Sequence, residues 1–149
     1  MTTMNNEPLN ILLVEDDPGD VVLVREALGE REPPLSLEVV GDGVEAMRFV
    51  RAEGVHAASP RPDLILLDLN LPRKSGAEVL AEIKGDPALR TIPVIILTTS
   101  NADEDVMRAY RNHANAYVSK PSDFARFREI VHRIDEFFAG VVSLPPHPA

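Results

Sequence analysis

The sequence predicts an α/β protein: a doubly wound, five-stranded parallel sheet with helices on both faces. Three observations carry that expectation. Unbroken apolar runs such as Leu64-Ile65-Leu66-Leu67 and Val94-Ile95-Ile96-Leu97 are the pattern of strands buried on both faces. Segments with apolar residues at helical spacing lie between such runs, so that strand and helix alternate five times along the chain. The runs also end on polar side chains, and in open α/β sheets ligands bind at the carboxyl ends of the strands.

Leu9 to Val14 is the first strand, running straight into Glu15-Asp16-Asp17. Asp17 has a structural use as the N-cap of a helix over residues 18–28, with Pro18 at its first position and Asp20 in its first turn. Val21, Val24 and Leu28 line one face of that helix. Glu15 and Asp16 are left at the strand end, where carboxylates that crowd together and lose hydration need a cation or strong donors beside them. After a loop over 29–34, Leu35 to Val40 is the second strand, and Asp42-Gly43 turns into a helix near 44–52 with Ala46, Phe49 and Val50 as its stripe. A surface loop, His56 to Pro62, leads to the central strand.

That strand, Leu64 to Leu67, finishes on Asp68. An ionised aspartate deep inside it would be very costly, so Asp68 belongs where the strand emerges. Pro72 ends the strand and Gly76 allows the close turn into a helix near 76–84, which Asp86-Pro87 breaks. Val94 to Leu97 is the fourth strand, closed by Thr98-Thr99-Ser100. Ser100 to Asp103 reads as a capping box opening a helix that reaches about Asn112. Ala116 to Ser119 is the fifth strand, followed by Lys120-Pro121 and a last helix near 122–138 carrying Phe124, Phe127, Val131, Ile134 and Phe138. Periodicity and composition leave the strand order open. The order 2-1-3-4-5 of doubly wound sheets would bring Glu15, Asp16, Asp68, Thr98 and Lys120 to one edge.

Composition narrows the function. The chain has 149 residues and divides into an N-terminal extension (1–8), one domain (9–138) and a C-terminal tail (139–149). Its formal net charge of −9, from 24 acidic against 15 basic residues, argues against a nucleic-acid binder. With no cysteine there is no disulfide and no thiolate metal site. Neither a leader-like N-terminus nor an apolar run of membrane-spanning length is present, so a soluble cytoplasmic protein with no membrane partner is expected.

The ordered set Val14-Glu15-Asp16-Asp17, Asp68-Leu69-Asn70-Leu71-Pro72 with Gly76, Thr98 and Lys120-Pro121 resembles the response-regulator receiver domain of two-component systems, over about Leu9 to Phe138. Residues 69–76, Leu97-Thr98-Thr99-Ser100 and Asn115-Ala116-Tyr117 resemble more narrowly the single-domain regulators that partner phytochrome-type histidine kinases. The resemblance implies a flavodoxin-like receiver that is not an enzyme in its own right. It implies Asp68 as the phosphoacceptor, Mg²⁺ (or Mn²⁺ or Ca²⁺) held by Asp16, Asp68 and the carbonyl of Asn70 with Glu15 acting through water, and Lys120 and Thr98 on the phosphoryl group. Thr98 and Tyr117 would form the switch.

Output would pass through phosphorylation-dependent protein contacts, or the chain would serve as a phosphate sink or relay intermediate. A haloacid-type phosphatase would want an acid where Asn70 stands. His56, His113, His132 and His147 lie outside the motifs and are expected at the surface. Phe137, Phe138, Val141, Val142 and Leu144 crowd one short stretch, so a homodimer through helix 4, strand 5, helix 5 and the C-terminal segment is expected.

Overall fold

A computed structural model of the chain describes residues 9–29 and 35–147. The expected extension, 1–8, and most of the loop after the first helix lie outside the described residues. In chain order the elements are β1 (Leu9–Val14), α1 (Pro18–Leu28), β2 (Leu35–Val40), α2 (Gly43–Val50), a 3₁₀ turn (Gly54–His56), β3 (Leu64–Leu67), α3 (Gly76–Gly85), β4 (Val94–Thr98), α4 (Asp103–Arg111), β5 (Ala116–Ser119) and α5 (Phe124–Gly140). The strands form one sheet in the order β2-β1-β3-β4-β5, every neighbouring pair parallel.

Side chains alternate across a strand, so each central strand feeds two cores. Leu12, Val14, Ile65, Leu67, Val94 and Ile96 meet Ala46, Phe49, Val79, Leu80, Ile83 and Ala109 from α2, α3 and α4. Ile11, Leu13, Leu64, Leu66, Ile95 and Leu97 meet Val24, Leu28, Phe127 and Val131 from α1 and α5. Every residue of β3 and β4 is buried, which is why their sequences show no polar alternation.

The helix starts follow the sequence, with one exception. Asp17 caps α1, accepting from the backbone N–H of Gly19 at 2.8 Å. Asp42, Ser75 and Asp123 do the same for α2, α3 and α5. Asp17→Ala should therefore cost about 1 kcal/mol, read as a lower urea midpoint at unchanged slope in chelator. The expected capping box at Ser100 is not formed. The N-cap of α4 is Ala102, without a side-chain cap, because the Ser100 hydroxyl instead donates to Asp105 Oδ2 at 2.6 Å. Asp103, Glu104 and Asp105 then face the helix N-terminus with favourable charge.

Two expected helix ranges shift as well. α2 runs over Gly43–Val50 rather than 44–52, since Ala52 adopts a left-handed φ of 53°. α5 begins only at Phe124, which is 72% exposed; Phe127 and Val131 carry the buried stripe. His56 is not a plain surface residue. Its Nε2 lies 3.0 Å from Glu45 Oε1 and its ring stacks obliquely on Phe49 at 5.3 Å.

The amino end of the sheet is tied by polar side chains. Lys84 Nζ donates to the carbonyls of Arg90 (2.9 Å) and Ile92 (2.8 Å) and to Asn115 Oδ1 (3.1 Å). Asn115 Oδ1 also accepts from Val94 N–H at 2.9 Å, so this side chain joins the starts of β4 and β5 to the end of α3. Burial lowers the Lys84 pKa. Nearby, Asp63 accepts from Asn10 N–H at 2.8 Å and pairs with His147 of the C-terminal segment at 2.6 Å. No described helix is long and apolar enough to cross a membrane.

Candidate functional site

Parallel register places the strand ends side by side at the carboxyl edge. Val14 sits opposite Leu67, so the next residues out, Glu15 and Asp68, leave the sheet together. Thr98 pairs with Ser119, which sets Lys120 beside it, and the Lys120 N–H closes on the Thr98 carbonyl at 2.6 Å. The five residues expected to assemble from four strands do assemble. Glu15, Asp68 and Thr98 are buried polar residues, whereas Asp16 is exposed.

Asp68 is fully engaged. Its Oδ1 accepts from the Thr98 hydroxyl at 2.8 Å and from the Asn70 N–H at 3.2 Å, while Oδ2 accepts from Lys120 Nζ at 3.1 Å. The same ammonium reaches Glu15 Oε1 and Oε2, at 3.0 and 2.9 Å, and Asp20 Oδ2 at 2.8 Å. Asp20 is the site residue that reading the chain missed. It served there as a first-turn acid of α1, and only the position of Lys120 reveals its second contact.

The charges divide unevenly. Burial pushes the Glu15 carboxyl up to about 8; Asp68 adds to the rise and Lys120 opposes it. Burial also works against ionisation of Asp68, but hydrogen bonds from Glu15 and Thr98, the charge of Lys120 and the Asn70 N–H bring its pKa below the ordinary value. For Lys120, burial disfavours the ammonium, yet bonds to Asp20 and Glu15 and the neighbouring charges raise its pKa. The site thus favours a carboxylate on Asp68 against the Lys120 ammonium, while burial and the neighbouring Asp68 push Glu15 toward its protonated form.

Glu15, Asp16 and Asp68 each offer an oxygen within 4.8 Å of the others. All-oxygen donors at that spacing suit a hard divalent ion that keeps some of its waters. Tyr117 lies half-buried on β5 against the α2–α3–α4 core, and its hydroxyl donates to the Ser100 carbonyl at 2.9 Å. Burial raises its pKa. At the end of α5, Phe137 and Val141 are 52% and 73% exposed, while Phe138 is half-buried and meets Phe137 edge-on at 5.2 Å.

This edge is equipped to hold a divalent cation and a highly charged group against one ionised aspartate, which is the chemistry of receiver domains. The chain belongs to the response regulator receiver domain family, whose model matches residues 11–132. Among its relatives is Response regulator Rcp1 of Synechocystis sp., 45% identical over 145 residues, covering 97% of this chain and 99% of that protein. The crystal structure of the phosphorylated cyanobacterial phytochrome response regulator RcpA superposes with a TM-score of 0.92 at 46% identity, covering 94% of this chain and all 100% of that one. The Mn²⁺-bound form of Rcp1 gives 0.90 at 45% identity, with 93% and 100% covered. The protein is thus a response regulator of the two-component type, with an acidic cluster whose oxygens could hold a divalent metal ion.

Proposed function

We propose that the chain accepts a phosphoryl group on Asp68 from a phytochrome-type sensor histidine kinase and passes the signal on through protein contacts. The observation that carries the reading is the buried, ionised Asp68 held between Lys120 and Thr98. One of its carboxylate oxygens attacks phosphorus as the bond to the donor's nitrogen breaks, leaving an aspartyl phosphate. Lys120 supplies a compact positive charge to the phosphoryl oxygens and the Thr98 hydroxyl donates a hydrogen bond to them.

Mg²⁺ is the proposed ion, held by Asp16, Asp68 and the Asn70 carbonyl with Glu15 through water; when bound it neutralises phosphoryl charge. The kinase class rests on the phytochrome regulator named in the superposed structure. A cytoplasmic protein, not an enzyme in its own right, fits this role. Thr98, bonded to Asp68, and Tyr117, anchored at Ser100, form the proposed switch toward α4, β5 and α5. Homodimerisation through that face and the C-terminal segment is supported by the exposed Phe137 and Val141.

The test is direct. Wild type and Asp68→Asn are incubated with a small phosphodonor and Mg²⁺ and weighed by intact mass spectrometry. One phosphoryl group is expected on wild type and none on the variant or in excess chelator; label on Asp68→Asn refutes the assignment.

A further inference from the structure

We propose that Asp20 is a positioning residue for the phosphorylation of Asp68, acting by holding the Lys120 ammonium from α1. The proposal rests on Asp68 as the acceptor. An ammonium has three protons, and here they serve three carboxyl groups: Glu15, Asp20 and Asp68. The bond to Asp20 is the shortest, at 2.8 Å, and that to Asp68 the longest, at 3.1 Å. A lysine head rides on a flexible four-carbon stem, so its aim is set by what it is bonded to.

Of the three anchors, Asp68 is the one the reaction alters. When its oxygen bonds to phosphorus, charge leaves the carboxylate for the outer phosphoryl oxygens, and Lys120 must follow with one proton while staying in place. Glu15 belongs to the metal cluster with Asp16 and Asp68. Asp20 stands outside that cluster, on another element, in the first turn of α1 where the helix dipole favours a carboxylate. It therefore offers Lys120 a hold that neither metal nor phosphoryl group disturbs, and it leaves a proton free to track the phosphoryl oxygens.

The experiment measures phosphorylation rate constants at saturating Mg²⁺ and saturating phosphoramidate, followed by intact mass. In the step measured, an Asp68 oxygen attacks phosphorus, the P–N bond breaks, and ammonia leaves with the bonding pair from the N-protonated donor. Asp20→Ala is expected to slow labelling about tenfold, as loss of orientation at a reacting centre does. Asp20→Asn keeps an oxygen acceptor in the same place and should recover most of the rate. Because Asp20 acts through Lys120, adding Asp20→Ala to Lys120→Ala should change nothing further. Asp20→Ala labelling at the wild-type rate, Asp20→Asn as slow as Asp20→Ala, or an additive loss in the Lys120→Ala background would each overturn the proposal. A wild type that takes no label would instead overturn the Asp68 assignment beneath it.

Discussion

Gly76→Ala is expected to destabilise the protein by about 3 kcal/mol or more, the upper range for overpacking. A methyl group there would lie 2.0 Å from the Asp68 carbonyl oxygen, 2.6 Å from Leu69 Cα and 2.9 Å from the Asp68 carbonyl carbon. All three are backbone atoms, so no rotamer change relieves the clash and the chain itself must shift. The glycine is required by space, not by a left-handed conformation. Its N–H closes the β3–α3 loop onto the Leu69 carbonyl at 2.9 Å, and the displaced residue would be Asp68 itself. For a chain of this size the loss corresponds to roughly 6–12 °C in Tm, and labelling from a small phosphodonor should fall with it. Gly85→Ala is the control, since nothing lies within 4 Å of its added methyl, and it should be neutral or slightly stabilising. Equal urea midpoints for the two variants would contradict the packing described for the loop.

Divalent metal should act on the same edge in the opposite direction. Binding to the folded state alone adds about 2.7 kcal/mol at a hundredfold excess over Kd, or roughly 5–11 °C in Tm. The carboxyl groups of Glu15, Asp16 and Asp68 share one neighbourhood, so a cation relieves repulsion as well as binding. Asp16→Asn separates the two states. Asp16 is exposed and lies outside the hydrogen bonds around Lys120, so in chelator the variant should melt at or slightly above wild type. In saturating Mg²⁺ it should lose most of the rise. A full rise in Asp16→Asn would remove that residue from the metal set.

The sheet was legible because its strands are buried on both faces and stop abruptly on polar side chains. Leu64 to Leu67 reads as a buried strand that Asp68 ends, but periodicity and composition left the strand order open; it is the observed order and parallel register that gather Glu15, Asp68, Thr98 and Lys120. What escaped were residues whose partners come from elsewhere in the chain. Ser100 has the spacing of a helix cap, but its hydroxyl goes to Asp105 and its carbonyl to Tyr117. Phe124 keeps the helical period, yet it is the first residue of α5 and stays exposed. Asp20 carries a local role that hid its distant one. Ala52, Arg73 and His113 adopt left-handed φ angles with no glycine or asparagine to announce them.

Lys84 looks from the sequence like any surface lysine on a helix. In the structure it works as a rivet: one ammonium head fastens the end of α3 to two carbonyls before β4 and, through Asn115, to the start of β5. At the same end, Asp63 just before β3 accepts from the Asn10 N–H of β1 and pairs with His147. The carboxyl edge has such a head of its own, Lys120, which ties the end of β5 to Glu15 after β1, to Asp20 of α1 and to Asp68 after β3. The domain is accordingly fastened by a lysine head at each pole, and only the one at the carboxyl edge holds the proposed phosphoacceptor. A change of charge beside Asp68 would therefore act on the Lys120 fastening and leave that of Lys84 in place.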